Sequence, residues 1–295
     1  MDQFAERGTM TQDPLSAFEN NIAPPLKIRV LDFWGRLGGG LPRIPLYTLL
    51  AAPLGVFILY AFSQGWFFPA PFPETWTTSA FERVLSDSRT LTSLRDSLMI
   101  AAAVSLLSLV IGFPAARALG LRQFRGRQAA WLLLYLPTVV PPLAIGMGLN
   151  ILFLQIGLAG SLHGIVLAHL VPTLPYVTFT LAGAFARYDE AYEFQAWVLG
   201  AGAWRTLFTV TLPMIAPSLA VAALFAFLIS WSQYLLTLLI GSGRVITLPV
   251  LLFSAASGGN PVTIAVLALV FLAPPALVIV ATARHLHGGE IREQY

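Results

Sequence analysis

The chain has 295 residues, 57% hydrophobic and 11% charged, with a formal net charge of +3 and no cysteine. A water-soluble domain carries roughly 25% charged residues because its surface must face water, so a soluble fold is excluded and the missing solvent is lipid. Without cysteine there is no disulfide scaffold, thiolate metal site or cysteine nucleophile. The basic excess forms no stripe interleaved with aromatics, so it reads as inner-face loops rather than nucleic-acid binding.

Residues 1–43 hold five of the seventeen Lys and Arg (Arg7, Lys27, Arg29, Arg36, Arg43) beside five acids, with Pro24, Pro25 and glycines at 38–40. They read as a polar cytoplasmic tail. No short apolar core with a small-residue cleavage site lies near the start, so the first span is expected to be kept as an anchor.

A helix crossing the hydrocarbon needs about 20 apolar residues, so the runs between charges count the spans. Residues 44–73 give the first and 97–116 the second. The 59 residues 128–186 carry no formal charge and hold two helices, with the break expected at the 157–161 turn. Residues 206–243 give the fifth. The next 39 uncharged residues, 245–283, exceed one helix. A loop or half-dipping helix is therefore expected over 245–262, closed by Gly258, Gly259, Asn260 and Pro261, before the sixth span.

Placing the N-terminus inside puts thirteen of the seventeen basic residues on the inner face, four of them (Arg117, Arg122, Arg125, Arg127) between the second and third spans. Arg83, Arg89, Arg95 and Arg244 remain outside, balanced by Glu74, Glu82, Asp87 and Asp96. This asymmetry predicts an all-α membrane protein of six spans with both termini cytoplasmic. The chain then divides into a tail (1–43), a transmembrane domain (44–286) and a second tail (287–295).

Between the fourth and fifth spans, residues 187–213 read as a short helix closed by glycine, a turn, and a helix entering the membrane. Gly200 and Gly202 fit C-terminal caps needing positive φ. Pro213 sits near the start of the fifth span, where its missing N–H costs least.

This arrangement resembles the coupling loop of binding-protein-dependent ABC importer permeases, in which a Glu-Ala-Ala triplet is followed after three residues by glycine and, nine further on, by Ile-x-Leu-Pro. Gly200, Val210, Leu212 and Pro213 fall in register, and Ala201 and Trp204 match the continuation. The triplet departs: Phe194, Gln195 and Ala196 occupy it, keeping only the alanine, with Glu193 one residue earlier as the candidate carboxylate toward the ATPase. The run Ile-Gly-Phe-Pro-Ala-Ala-Arg-Ala, residues 111–118, and segments 230–241 and 247–253 are similar, in the same order, to the polyamine, thiamine, ferric-iron and phosphonate importer group.

The resemblance implies a permease in the bacterial inner membrane. Two permease subunits line a pathway, ATPase subunits bind below, and a soluble binding protein delivers a small solute. The 189–202 segment would be a rigid cytoplasmic coupling helix lying in a groove of the ATPase, with Ala196 and Gly200 allowing close approach. The degraded triplet points to a different chain as the second permease. This chain carries no cofactor and no Gly-x4-Gly-Lys-Ser/Thr loop, so ATP and Mg belong to the partner ATPase and the chain is not an enzyme.

Polar residues within spans are costly in lipid unless something uses them. Asn150, Gln155, His163, His169, Ser230, Ser232 and Gln233 qualify, with Ser230, Ser232, Gln233 and Asn150 the candidates for a solute pathway. Helix-to-helix hydrogen bonding accounts for them as well, and for the two histidines better. Pro141, Pro142, Pro172 and Pro175 are expected to kink or break their helices. An ion-coupled secondary transporter is the competing reading. It calls for ionisable residues in mid-span, and the expected spans contain no Asp, Glu, Lys or Arg. A membrane-embedded enzyme would need an acid near His163 or His169.

Overall fold

The computed structural model describes residues 43–290 apart from 65, 67–69 and 71; the 1–42 part of the first expected tail and the 291–295 part of the second lie outside the described residues. The chain divides at Val56 into two units. Of the first, residues 43–56 are described and form the start of a helix, α1 (Arg43–Ala61). The second unit, from Phe57 on, holds the remaining helices.

The described residues form helices joined by turns and loops, with one isolated bridge between Ser63 and Trp76. Helix α1 ends at Ala61, short of the expected 44–73. The Ser63 hydroxyl donates to the Tyr60 carbonyl, and Gln64 N–H and Thr77 N–H pair with Thr75 and Phe62 carbonyls, so the chain folds back on itself. A short helix α2 (Ser79–Ser86) leads to α3 (Ser88–Leu121). At a rise of 1.5 Å per residue α3 is about 51 Å long, well beyond the hydrocarbon thickness. The expected second span is its middle, while Arg89, Arg95 and Asp96 ride on one end and Arg117 on the other.

The 128–186 run splits twice. Helices α4 (Arg127–Val139) and α5 (Pro142–Gln155) meet at a 100° bend at Val140–Pro141, where consecutive prolines cannot continue the hydrogen-bond ladder. The second break is the expected boundary between the two spans, a turn in which Gly157 and Gly160 adopt positive φ. Helix α6 (Leu162–Phe185) then runs unbroken through Pro172 and Pro175. A small helix α7 (Ala191–Val198) and the four-residue α8 (Ala203–Thr206) come next. A π turn, Leu207–Thr211, leads into α9 (Leu212–Trp231).

The fifth span is broken. Instead of running to 243, α9 stops at Trp231, and Ser232, Gln233 and Tyr234 separate it from α10 (Leu235–Gly241). The expected half-dipping segment is α11 (Leu248–Ser257), and α12 (Pro261–Glu290) begins where the Asn260 carboxamide oxygen accepts from the N–H groups of Val262 and Thr263. Against the expected six spans, four helices are long and apolar enough to cross a membrane: α3, α6, the continuous 203–231 stretch and 261–283. The bent α4–α5 pair makes a fifth, while the apolar parts of α1 and α11 are shorter.

Helices α3, α6 and α9 pack on one another along their lengths. Lipid tails are as apolar as leucine, so close approach rather than water expulsion must hold such helices together. A Cβ on Gly120 would stand 2.6 Å from Phe185 Cβ, and one on Gly112 would stand 2.9 Å from Val177 Cγ1. Ala116, Phe185, Ile215 and Ala222 fill this end. At the other end, Trp231 stacks between Phe227 and Phe271 and donates its indole N–H to the Phe271 carbonyl. The Leu248 N–H donates 2.7 Å to Ser97 Oγ, tying α11 to α3.

Candidate functional site

Helix α7 hangs from the end of the bundle by one buried carboxylate. Glu193 is 2% exposed. Its Oε2 accepts a 2.6 Å bond from Arg117 Nη2 on α3, and its Oε1 accepts from the Tyr188 hydroxyl at 2.9 Å and the Thr211 hydroxyl at 2.7 Å. Burial alone would raise the Glu193 pKa, but the hydrogen bonds from Thr211, Arg117 and Tyr188, with the Arg117 charge, outweigh it and hold the carboxyl below its ordinary value. Burial pushes the Tyr188 phenol up, which keeps it a donor.

The π turn supplies the third donor. Leu212 N–H reaches back to the Leu207 carbonyl, five residues earlier, and the turn ends on Thr211, whose side chain is buried against Glu193. Insertions of this kind recur at functional sites because they re-aim side chains without ending the helix. The end of α3 is tied to the start of α4 nearby, where Arg127 Nε and Nη2 donate to the Leu119 carbonyl. An outer pair, Arg122 to Glu190 at 2.8 Å, is exposed and contributes little.

Glu193 thus faces inward, and the outward face of α7 and its turn is apolar. Val198 is 87% exposed, Leu199 86% and Trp204 75%, with Phe194 and Phe208 also exposed. Phe194 meets Trp197 edge-on at 5.2 Å, and Trp204 stacks on Phe208. Ala196 is half-buried. Gly200 adopts φ +83 with open space around it, as a C-terminal cap requires. Gly202 does not: its φ of −75 is extended backbone, and it precedes α8 instead of closing α7. Leu212 and Pro213 follow the π turn directly, inside a stretch that is helical from Ala203 onward.

The intramembrane candidates separate into two groups. Ser230 is buried and lies 3.0 Å from His169 Nδ1, while His169 Nε2 lies 3.0 Å from Thr237 Oγ1. That chain of contacts pins α6 to both sides of the α9–α10 break, so Ser230 and His169 pair helices. Ser232 is exposed at the break, its hydroxyl turned to the Leu228 carbonyl, and the Gln233 carboxamide has no hydrogen-bond partner among the described residues. Tyr234 stacks on Phe253 of α11 at 4.3 Å. Asn150 on α5 has a buried carboxamide oxygen without a partner. The α9–α10 break and the contacts of Arg117 and Thr211 to Glu193 leave no trace in the lengths of charge-free runs. No group of three or more metal-ligating side chains occurs among the described residues.

An all-helical bundle in which four helices, or five with the bent pair, are long and apolar enough to cross a membrane is the architecture of a multi-pass membrane protein. Residues 108–287 match the family described as binding-protein-dependent transport system inner membrane component, and the chain belongs to that family. It is 31% identical over 186 residues to the molybdate/tungstate transport system permease protein WtpB of Pyrococcus abyssi, covering 61% of this chain and 72% of that one. It is 29% identical over 255 residues to the putative 2-aminoethylphosphonate transport system permease protein PhnV of Salmonella typhimurium, covering 85% and 94%. Among solved structures it is similar to a bacterial ABC transporter involved in the import of alginate, with TM-score 0.69, 19% identity, and coverage of 87% of this chain and 97% of that one. The protein is thus an inner-membrane permease component of a binding-protein-dependent transport system.

Proposed function

We propose that the chain couples ATP hydrolysis to solute movement through the 189–202 segment, used as a rigid knob whose apolar outer face seats in the ATPase. The observation that carries this reading is the buried Glu193 carboxylate, held by groups from α3, the 188 loop and the π turn. A knob fixed at three points moves with the spans as one body, which is what closure of the ATPase must exploit. In this reading Glu193 fastens the knob to the chain's own spans, and Phe194, Trp197, Val198, Leu199 and Trp204 meet the partner.

The same reading takes α1 and the bent α4–α5 pair as spans. That gives six, both termini cytoplasmic, a transmembrane domain over 44–286 and tails at 1–43 and 287–295. Solute would pass the α9–α10 break, where Ser232 and Gln233 offer polar groups in mid-membrane, and near Asn150. Irregular backbone is tolerated at that depth where protein or a polar cavity covers it. Ser230 would support this wall from behind through His169. The second permease would be a different chain, since the Phe194-Gln195-Ala196 triplet suits an asymmetric pair.

Because the chain contains no cysteine, single cysteines test the reading directly. Val198→Cys should cross-link to the ATPase and react with reagent only from the cytoplasmic side. Cross-linking to the binding protein, or labelling from outside, would reject both the coupling role and the orientation.

A further inference from the structure

At the end of the bundle away from α7, a cavity of about 400 Å³ opens between α2 and the start of α3 on one side and α11 and α12 on the other. Its size falls in the range of small-ligand sites, about 300–1,000 Å³. Arg83 and Arg89 line one wall, and Ser254 and Thr263 line the other. Neither guanidinium group and neither hydroxyl has a hydrogen-bond or ion-pair partner among the described residues.

The acid in the cavity is already committed. Asp87 accepts from the N–H groups of Arg89 and Thr90 and from the Thr90 hydroxyl, capping α3. That leaves two guanidinium groups against one carboxylate that is already bonded, with the Ser254 and Thr263 hydroxyls able to donate from the far wall. The floor is apolar and fixed, with Val84, Leu251 and Leu267 buried. Charge-assisted bonds strengthen beside such a low-dielectric surface.

We propose that this cavity binds a phosphate-type oxyanion. Arg83 and Arg89 hold it through their planar forks, and Ser254 and Thr263 donate from the opposite wall. Guanidinium groups match tetrahedral oxyanions in geometry as well as charge, which a lysine pair would not. A phospholipid headgroup and free inorganic phosphate present the same chemistry here. The site is separate from the α7 latch and does not depend on the coupling reading.

The test uses the whole importer, purified in neutral detergent with its ATPase and partner permease. Native mass spectrometry counts retained phospholipid, and thermal midpoints are read with and without inorganic phosphate. If the occupant is a lipid, the wild type keeps one more phospholipid than the R83Q/R89Q double variant, and added phosphate displaces it. If the occupant is the free ion, lipid counts match but phosphate raises the midpoint of the wild type and not of the variant. An R83K/R89K variant, which keeps the charge and loses the forks, should bind more weakly than wild type and more strongly than R83Q/R89Q. Both variants should assemble with the ATPase, since the two arginines are exposed. Equal lipid counts together with equal phosphate responses would overturn the proposal. So would a loss confined to capture of the binding protein, which would assign the guanidinium groups to a partner's carboxylate.

Discussion

The Glu193 carboxylate accepts a 2.6 Å hydrogen bond from Arg117, 76 residues earlier in the chain. Arg117 lies near the end of the longest helix of the bundle and Glu193 near the start of a small helix that protrudes from it, so the contact fastens α7 to α3. Removing either partner leaves the charge of the other uncompensated. For a fully buried pair that costs about 3–5 kcal/mol, and less here because the Arg117 side chain is 30% exposed. R117M should therefore lower the thermal midpoint of the purified importer more than R122M, which breaks only an exposed pair. Equal shifts would argue against the latch.

The latch also sets an acid limit. Because the folded-state pKa of Glu193 lies below its ordinary value of 4.5, its contribution is fully present above that value and is lost as pH falls through the depressed one. Thermal midpoints measured across this range should fall more steeply in the wild type than in E193Q. Parallel curves would show that the carboxylate carries no such linkage.

Gly200 separates conformation from space. A Cβ there meets nothing within 4 Å, but φ is +83. Left-handed backbone costs a residue other than glycine about 1–2 kcal/mol, and asparagine is the side chain that tolerates it best. G200V should reduce solute uptake with normal membrane insertion, and G200N should retain more of it. Unchanged uptake in G200V would remove the loop from the coupling mechanism.

The His169 contacts predict a structural defect and not a specificity change. H169L strips partners from Ser230 and Thr237. At about 0.6–1.7 kcal/mol per interhelical bond, it should cost about 1–3 kcal/mol. A measured drop in thermal midpoint with unchanged solute affinity is expected, whereas S232A or Q233A should alter apparent affinity with little effect on the midpoint. The opposite pattern would exchange the two roles.

Charge-free runs made most helices legible, since lipid imposes length and apolarity on any span. The turn at 157–161 and the start at Pro261 were also visible, because glycine, asparagine and proline carry local instructions. The bend between α4 and α5 falls at Pro141 and Pro142, where an interruption is expected, but the break in the fifth span has no such marker. Nothing in the composition of 206–243 distinguishes a continuous helix from one broken at Ser232–Tyr234, because the break is held from outside by His169 and by the Tyr234–Phe253 stack. The 189–202 segment stands out in the sequence through its glycine and its Leu-Pro spacing. The inward direction of Glu193 does not, because it depends on Arg117 and Thr211, which are far apart in sequence and carry no shared pattern. Gly202 shows the converse error: a glycine in a suitable place need not use positive φ.

The most direct test of the latch is a double-mutant cycle on Arg117 and Glu193, measured as solute taken up per ATP hydrolysed by the importer in proteoliposomes. R117M and E193Q should each lower that ratio, and R117M/E193Q together should lower it no further than the worse single variant, because both remove one interaction. Ratios that stay at the wild-type value, or losses that simply add, would contradict a shared latch between α3 and α7.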